Sequence, residues 1–495
     1  MHWLDRIVAQ FSPTAAVRRT QARRVLAAYE SAGPGRTRKT RPDNRSGNAL
    51  TERAGTRIRG YARNLDQNHD IARGILNTLV NNVVGPNGIS IEPMPRNANG
   101  EVDEDLRGTI NALLKGWARR PEVTREHAFG GLQRLVARTW FRDGECLTQM
   151  LSGNVQYLDH AGPVPLSLEL IEADLLPMDL NDAKRGIVQG VERDAWGRPR
   201  GYHIYKAHPG DSQVVLLSDT KRLDAENCLH LKLVDRFRQA RGVSIFAAVM
   251  QRLEDIKDYE ESERVAARIA AAMTAYIKKG SPAEYIAPED GQEDRSFSVR
   301  PGMVFDTLIA GEEIGTIESN RPSSLLEGFR EAMLRAVSAA TSANYSTISR
   351  NYNGTYSAQR QELVEGWMNY ASLTTLFVEQ FVEPVYRRLI NDAVAAGRLQ
   401  VPRGASLDAL MDAEFRGPVM PWVDPQKEAN GIESLIESRI KSPQQIIRER
   451  GGNPDAVLDQ FEQWEKELDR RGLSAVNDTD SNAGGSADAE TQGEG

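Results

Sequence analysis

The chain has 495 residues, 40% of them hydrophobic, and a formal net charge of −7. That length and apolar content suffice for about three cored domains and exclude an intrinsically disordered protein. No run of about 18 apolar residues is present, and the opening MHWLDRIVAQF lacks the features of a secretory signal, so a soluble protein made in a reducing cytoplasm is expected.

Two cysteines, Cys146 and Cys228, are too few for a disulfide framework or a cysteine zinc site and read as buried thiols. Charge is unevenly spread: residues 1–64 carry about fourteen Arg/Lys against about four Asp/Glu, and the remainder is acidic. A basic arm of this kind reads either as a solvated or partner-bound segment or as a nucleic-acid contact. The acidic body argues against a dedicated tight duplex binder, because such affinity comes largely from neutralising phosphates.

In chain order, residues 12–31 read as a helix, followed by the basic loop GPGRTRKTRPDNRSGN. GPGRTRKT comes close to a phosphate-cradling loop. Arg38 replaces its second glycine and no apolar strand precedes it, which excludes an intrinsic ATPase on this motif. Leu50 to Gly85 has apolar residues at helical spacing and ends at Gly85-Pro86; PNGISIEPMP then reads as a strand, and Gly130 to Phe141 as a helix. Short apolar runs from about 145 to 235 alternate with turn signals, giving a mainly β region with a hairpin at Asp194 to Arg198.

Val243 to Lys279 reads as one helix of roughly 55 Å. Its charged middle, LEDIKDYEESERVAAR, has too little apolar surface for burial within one subunit and suits packing beside further copies of itself. A small β insertion is expected next, with strands near 297–299, 303–308 and 313–317. Helix returns after the capping box Ser324/Glu327, and a second long helix is expected over 357–396, kinked or interrupted at Pro384. Between these two helices lies SANYSTISRNYNGTYSAQR, a polar connection carrying three tyrosines. A last helical portion runs from about Pro425 to Leu473, and the Gly/Ser/acid-rich residues 476–495 read as a disordered tail.

The ordered set ARNLDQNHDIARGILNTLVNNVVGPNGI, IEADLLP, GVERDAWGRPRGYHIYKAHPGD, PGMVFDTLIAGEEI, NRPSSLLEGFREAMLRAVSAATSANYSTISRNYNGTYSAQR and PWVDPQKE resembles the lambda-type family of tailed-phage portal proteins. The resemblance extends from about residue 50 to 473. It implies an α+β portal fold, mainly helical with β-rich wing and clip, in a ring of normally about twelve subunits at one capsid vertex. A terminase motor drives double-stranded DNA through such a ring. By similarity the N-terminal basic arm is 1–40, the wing 40–242, the first stem helix 243–279, the clip 280–322 and the second stem helix 323–341. The tunnel loop is then 342–356, its helix 357–396 and the crown 397–475.

The resemblance places the polar connection as the loop facing DNA. Tyr345, Tyr352 and Tyr356 would present rings and hydroxyls to sugar and phosphate, and Asn344, Ser346, Asn351 and Asn353 would offer uncharged hydrogen bonds. Arg350 would be the cation that meets phosphates. The sequence departs from the family pattern: Ala343-Asn344 replaces a glycine-bearing approach, Asn351 stands where an acid is common, and TYSA replaces the final element. The bland alternative is an Asn/Ser-rich turn that caps the following helix, with Tyr356 packed inward.

The acidic EDGQED followed by arginine supplies the clip candidates Glu289, Asp290, Glu293, Asp294 and Arg295, a solvated loop placed to meet partners. Seven scattered histidines show no metal-ligand spacing, and His203, His208 and His230 read as hydrogen-bonded structural residues. No catalytic constellation, metal or cofactor is expected. Implied partners are copies of the chain, sequence-nonspecific double-stranded DNA, the terminase large subunit, major capsid protein and head-completion or connector proteins, with no membrane. The implied location is the virion, after assembly in the host bacterial cytoplasm. Two other readings are a capsid scaffolding or adaptor protein without a channel, and a terminase subunit; the latter needs the intact nucleotide loop that GPGRTRKT lacks.

Overall fold

The computed structural model describes residues 44–211, 219–271, 275–279, 312–316, 326–420 and 425–471, together with Thr14. The basic arm, strands expected at 297–299 and 303–308, the Ser324 cap, the tail and all five clip candidates lie outside the described residues.

Helix α1 (Gly47–Asn68) starts where the Ser46 side chain accepts a hydrogen bond from the Ala49 amide at 3.2 Å. Helix α2 (Asp70–Val83) follows after one extended residue, His69, at φ −127° and ψ 114°. The sequence spacing predicts one continuous helix here. The break has a tertiary cause: buried His69 brings its Nε2 to 2.8 Å from the Leu253 carbonyl oxygen. Helix α2 then buries Ile71, Ile75, Leu76, Leu79, Val80 and Val83 in the main core.

Strand β1 (Ser90–Pro93) is followed by helix α3 (Glu104–Trp117), which the sequence reading passed over, and α4 (Phe129–Asp143). Three antiparallel strands come next in the order β3-β2-β8: β2 (Glu145–Ser152), β3 (Leu166–Ile171) and, later in the chain, β8 (Cys228–Lys232). A second sheet has the sequential order β4 (Ile187–Val188), β5 (Val191–Arg193), β6 (Pro199–Tyr205) and β7 (Thr220–Asp224). The hairpin expected at 194–198 joins β5 to β6. Asp194 Oδ1 accepts from the Trp196 and Arg198 amides at 3.0 and 2.8 Å.

Helix α5 (Met250–Ala271) occupies the middle of the long helix expected over 243–279. The end of that stretch is strand instead: β9 (Ala275–Lys279) pairs antiparallel with β10 (Glu312–Thr316). Helix α6 (Leu326–Thr341) lies against α5 through a Tyr259–Phe329 ring pair 4.8 Å apart and an Arg330–Glu260 ion pair at 2.7 Å. Leu253 and Ile256 at the start of α5 are buried, whereas Val265 and Phe329 further along the pair remain 45% and 40% exposed. Val265 and Phe329 thus remain accessible among the described residues.

A five-residue helix, α7 (Tyr345–Ser349), precedes α8 (Tyr356–Phe377). The interruption expected at Pro384 takes the form of a π-helical turn, Val378–Val382, before α9 (Glu383–Ala395). Proline supplies no amide for the preceding turn, and the helix widens so that the Glu383 amide reaches the Val378 carbonyl. This turn keeps Phe377 and Phe381 facing Trp140 and Phe129 in the main core.

The chain then returns to the body through α10 (Leu407–Leu410) and β11 (Ala413–Arg416), which pairs antiparallel with β1. Buried Leu399, Leu410 and Met411 belong to the main core, so residues assigned to the crown by similarity begin inside the body. Beyond them lie α11 (Pro425–Glu437), α12 (Pro443–Glu449) and α13 (Pro454–Arg471). The helical portion expected from about Pro425 to Leu473 consists of these three helices.

The joint between the β region and α5 is built on a buried charge. Gly144, at φ +87°, and Gly242 approach so closely that a Cβ on either would collide with backbone of the other strand of chain. Beside them Glu145, 1% exposed, accepts from Arg241 Nε at 2.8 Å, from His230 Nε2 at 3.0 Å and from the Gly242 amide at 2.9 Å. Arg241, fully buried, also donates to the carbonyls of Leu176, Gln189 and Ala173 at 2.8, 3.2 and 2.9 Å. Burial alone would raise the Glu145 carboxyl, but Arg241 and His230 hold it well below the usual carboxylate range. Burial pushes His230 down to about 4, since a protonated ring would bury an unpartnered Nδ1–H. His230 is therefore neutral and donates to Glu145.

Arg241→Met should destabilise the fold by about 3–5 kcal/mol, because Glu145 would keep its burial and lose its main counter-charge; denaturant unfolding measures this. Between pH ~6.5 and 4 the unfolded chain binds a proton at His230 that the folded chain refuses, so stability should fall as pH falls through that window. Glu145 stays ionised throughout it. Replacing His230 by Gln should flatten the decline in unfolding midpoints measured across this range.

Candidate nucleic-acid interface

The polar connection begins where α6 ends on buried Thr341 and Ser342 turns the chain at φ +58°. Ala343 is buried, and its carbonyl accepts from Ser338 Oγ at 2.6 Å. Asn344 is 7% exposed; its amide donates to Tyr370 Oη at 3.3 Å, and its carboxamide fills the space beside Gly366 on α8. Tyr345 packs against the main core, with the Arg335 guanidinium 5.4 Å from its ring centre. The Ser346 amide donates to Glu362 Oε1 of α8 at 3.0 Å. The first half of the connection is thus a short helix tied to α8.

The second half is different. Arg350 bends the chain out of α7 at φ +56°, and its exposed side chain makes no hydrogen bond or ion pair with another described residue. Asn351 takes a hydrogen bond from the Asn353 amide at 3.0 Å, and Tyr352 holds the Gly354 amide at 3.0 Å and the Gln359 side chain through its carbonyl. Thr355 caps α8 by accepting from the Ala358 amide at 3.3 Å. This local network spends the polar side chains of Asn351 and Thr355 on the turn itself and leaves the rings out: Tyr352 and Tyr356 are 54% and 49% exposed.

The eight residues singled out from sequence therefore separate. Arg350, Tyr352, Asn353 and Tyr356 stand on one exposed bend, Asn351 braces it from below, and Ser346 and Tyr345 are half-buried. Asn344 is a packing residue of the subunit, and the space it fills explains why a glycine faces it. Tyr356 points outward, unlike the inward packing of the turn-only alternative, with Lys427 Nζ of α11 6.0 Å from its ring centre. Of the PWVDPQKE motif, Trp422 and Asp424 lie outside the described residues; Glu428 joins α8 to the C-terminal helices through Arg360 at 3.6 Å and Arg450 at 3.3 Å.

The histidines fall where structural residues would. His203 contacts Glu192 at 3.2 Å and His208 contacts Glu172 at 3.3 Å. Glu172, Asp174 and His208 have donor atoms within 4.8 Å of one another, but Asp174 is already engaged by Arg59 at 3.1 Å and by Arg63. Both thiols are buried and free, and burial pushes Cys228 up to about 12 and Cys146 higher still, leaving them protonated. The Glu145–Arg241 centre escaped the sequence reading. Its signal was a charge next to glycine inside apolar sequence on both sides of the contact, DGECL and QARGVS.

Over residues 33–373 the sequence matches the family described as phage portal protein, lambda family. The chain belongs to that family. The portal chain is 26% identical over 434 residues to the probable portal protein of Halomonas phage phiHAP-1, an alignment covering 84% of this chain and 81% of that one. Among solved structures it is similar to a chain of the neck of a native GTA particle computed with C12 symmetry, at 13% identity and a TM-score of 0.43, covering 82% of this chain and 94% of that one. A chain of the neck of an empty GTA particle computed with C6 symmetry gives 14% identity and a TM-score of 0.44, with 84% and 96% covered. The portal chain has an α+β fold, and its family is structural.

Glycine to alanine inside a helix ordinarily stabilises by up to about 1 kcal/mol. At Gly366 the sign should reverse: the added methyl would land on the Asn344 carboxamide, and Gly366→Ala should cost about 1–3 kcal/mol. Combining it with Asn344→Ala should recover most of the loss, as read by denaturant unfolding of the two variants and the double variant.

Proposed function

We propose that about twelve copies of this portal protein close into a ring at a capsid vertex, and that the exposed bend from Arg350 to Tyr356 lines the channel through which double-stranded DNA passes. The observation that carries this reading is the chemistry of the bend: a single unpaired cation among the described residues there, set between exposed tyrosine rings and uncharged amides. Such groups contact sugar and phosphate without reading sequence. Each neutralised phosphate strengthens binding and resists sliding, so one arginine per subunit guides a moving duplex where several would grip it.

Assembly is favoured by the α5–α6 pair, whose Val265 and Phe329 one subunit leaves in water. In this arrangement residues 40–242 form the wing that meets major capsid protein, and α5 and α6 form the stem. Residues 280–322, with Glu289, Asp290, Glu293, Asp294 and Arg295, form the clip that receives the terminase large subunit and later the head-completion or connector proteins. Residues from about 425 form the crown. The chain hydrolyses no nucleotide, and the energy for packaging comes from the separate motor. Assembly takes place in the host bacterial cytoplasm and the ring stays in the virion.

Electron microscopy of the purified chain, with mass determination on the same sample, should give closed rings of about twelve copies with a central channel; compact monomers at every concentration would overturn the reading. Arg350→Ala should leave ring formation intact and lower the yield of packaged DNA. Normal packaging by that variant would remove Arg350 from the channel contacts.

A further inference from the structure

The C-terminal helix α13 is tied at its start to α3. Pro454 is buried, Asn453 Oδ1 caps the first turn by accepting from the Asp455 amide at 2.9 Å, and Asp455 pairs with Arg107 of α3 at 2.7 Å. Val457 then lines an apolar groove of about 650 Å³ with Ile432 and Ile436 of α11 and Ile446 and Ile447 of α12. Beyond Val457 the same face of α13 continues as Phe461, Trp464 and Leu468, the four-three-four spacing of a helix-packing seam. No described residue covers its aromatic part: Phe461 and Trp464 are 61% and 62% exposed, and neighbouring Leu458 is 57% exposed.

The groove and the seam complement each other in charge as well as in polarity. Glu433 and Glu437 line the groove, exposed and one helical turn apart; Arg450, which lines it too, pairs with Glu428 at 3.3 Å, and the two glutamates form no ion pair among the described residues. Like charges at that spacing disfavour a helix unless a cation lies between them. The seam ends in Arg470 and Arg471, roughly 20 Å along the helix axis from Val457 and so beyond the reach of the groove that Val457 lines. In their own subunit both arginines share the single carboxylate of Glu467. Residues 472–495 hold only Leu473 and Val476 as bulky apolar side chains, too few to cover two large aromatic residues.

We infer that the occupant of this groove is a second copy of the chain: the seam Phe461–Trp464–Leu468 of one crown lies in the Ile432/Ile436/Ile447 groove of the next, with Arg470 and Arg471 against its Glu433 and Glu437. Groove and seam are different surfaces, so the contact is head-to-tail and propagates around a ring. The inference rests on the ring reading above and adds to it a lock located in the crown.

Because both native thiols are buried, new surface cysteines can be trapped selectively. The full-length double variant Glu437→Cys/Arg470→Cys, treated with a short bismaleimide, should give a ladder of covalent oligomers on a denaturing gel. Adding Phe461→Asp and Trp464→Asp should weaken that ladder about tenfold. Rings seen by microscopy without a ladder would overturn the crown lock and leave the ring reading standing. A monomer band carrying an internal link would show α13 folding onto its own groove, and products stopping at dimers would show a two-fold contact; either overturns the head-to-tail lock. A sample that forms neither rings nor a ladder overturns both readings.

Discussion

The structure depends on one buried carboxylate. Glu145 opens β2 immediately after α4, and Arg241 sits at the point where the chain leaves the β region for α5. An ionised pair so deep is costly to desolvate and holds only if its remaining donors and acceptors are satisfied. Here they are: Arg241 spends its guanidinium on Glu145 and on three carbonyls from two loops, and Glu145 adds His230 from β8 and the Gly242 amide. The geometry of donors leaves little freedom. Moving any of the five segments would strand a charge or a carbonyl in the core, which costs more than losing an apolar contact of similar size.

That constraint fixes the direction in which α5 leaves the body. The close approach of Gly144 and Gly242 allows the two strands of chain to lie backbone to backbone, and the Val243 amide continues the contact by donating to the Leu233 carbonyl at 3.1 Å. Seven residues later α5 begins, and its carbonyl at Leu253 receives His69 from the break between α1 and α2. Two polar contacts therefore tie the base of α5 to the body, one at the end of β8 and one at the break between α1 and α2. Beyond that base the helix becomes charged and exposed, with Val265 still 45% accessible.

Much of this was legible in the sequence, and the failures have physical reasons. Periodicity located α2, α4 and α6 because their apolar stripes face one core, and turn residues located the Asp194–Arg198 hairpin because aspartate caps it locally. The His69 break and the β1–β11 pairing are long-range facts: one depends on a carbonyl 184 residues away, the other on strands more than 300 residues apart, and neither leaves a local trace. The stretch after α5 departs from the expected helix because AYIKK fits a helix by spacing; its partner strand, not its own pattern, makes it extended. In the polar connection the sequence identified the residues and could not separate them. Asn344 and Asn353 look alike in composition, and only Gly366 facing the first reveals that it packs.

The separation within that connection also explains its chemistry. A loop made wholly of exposed Asn, Ser and Tyr would be entropically expensive to order. The portal chain holds one half rigid, by burying Asn344 and tying Ser346 to Glu362, and uses Thr355 and Asn351 to close the other half as a short turn. What remains outside is one arginine, one asparagine and two tyrosine rings on a braced bend. Rings and amides carry no net charge, so Arg350 is the one charged group that this bend presents. In the proposed channel this chemistry gives a shallow, even contact rather than a deep one, carried on a turn that Thr355 and the Gln359 side chain tie to α8.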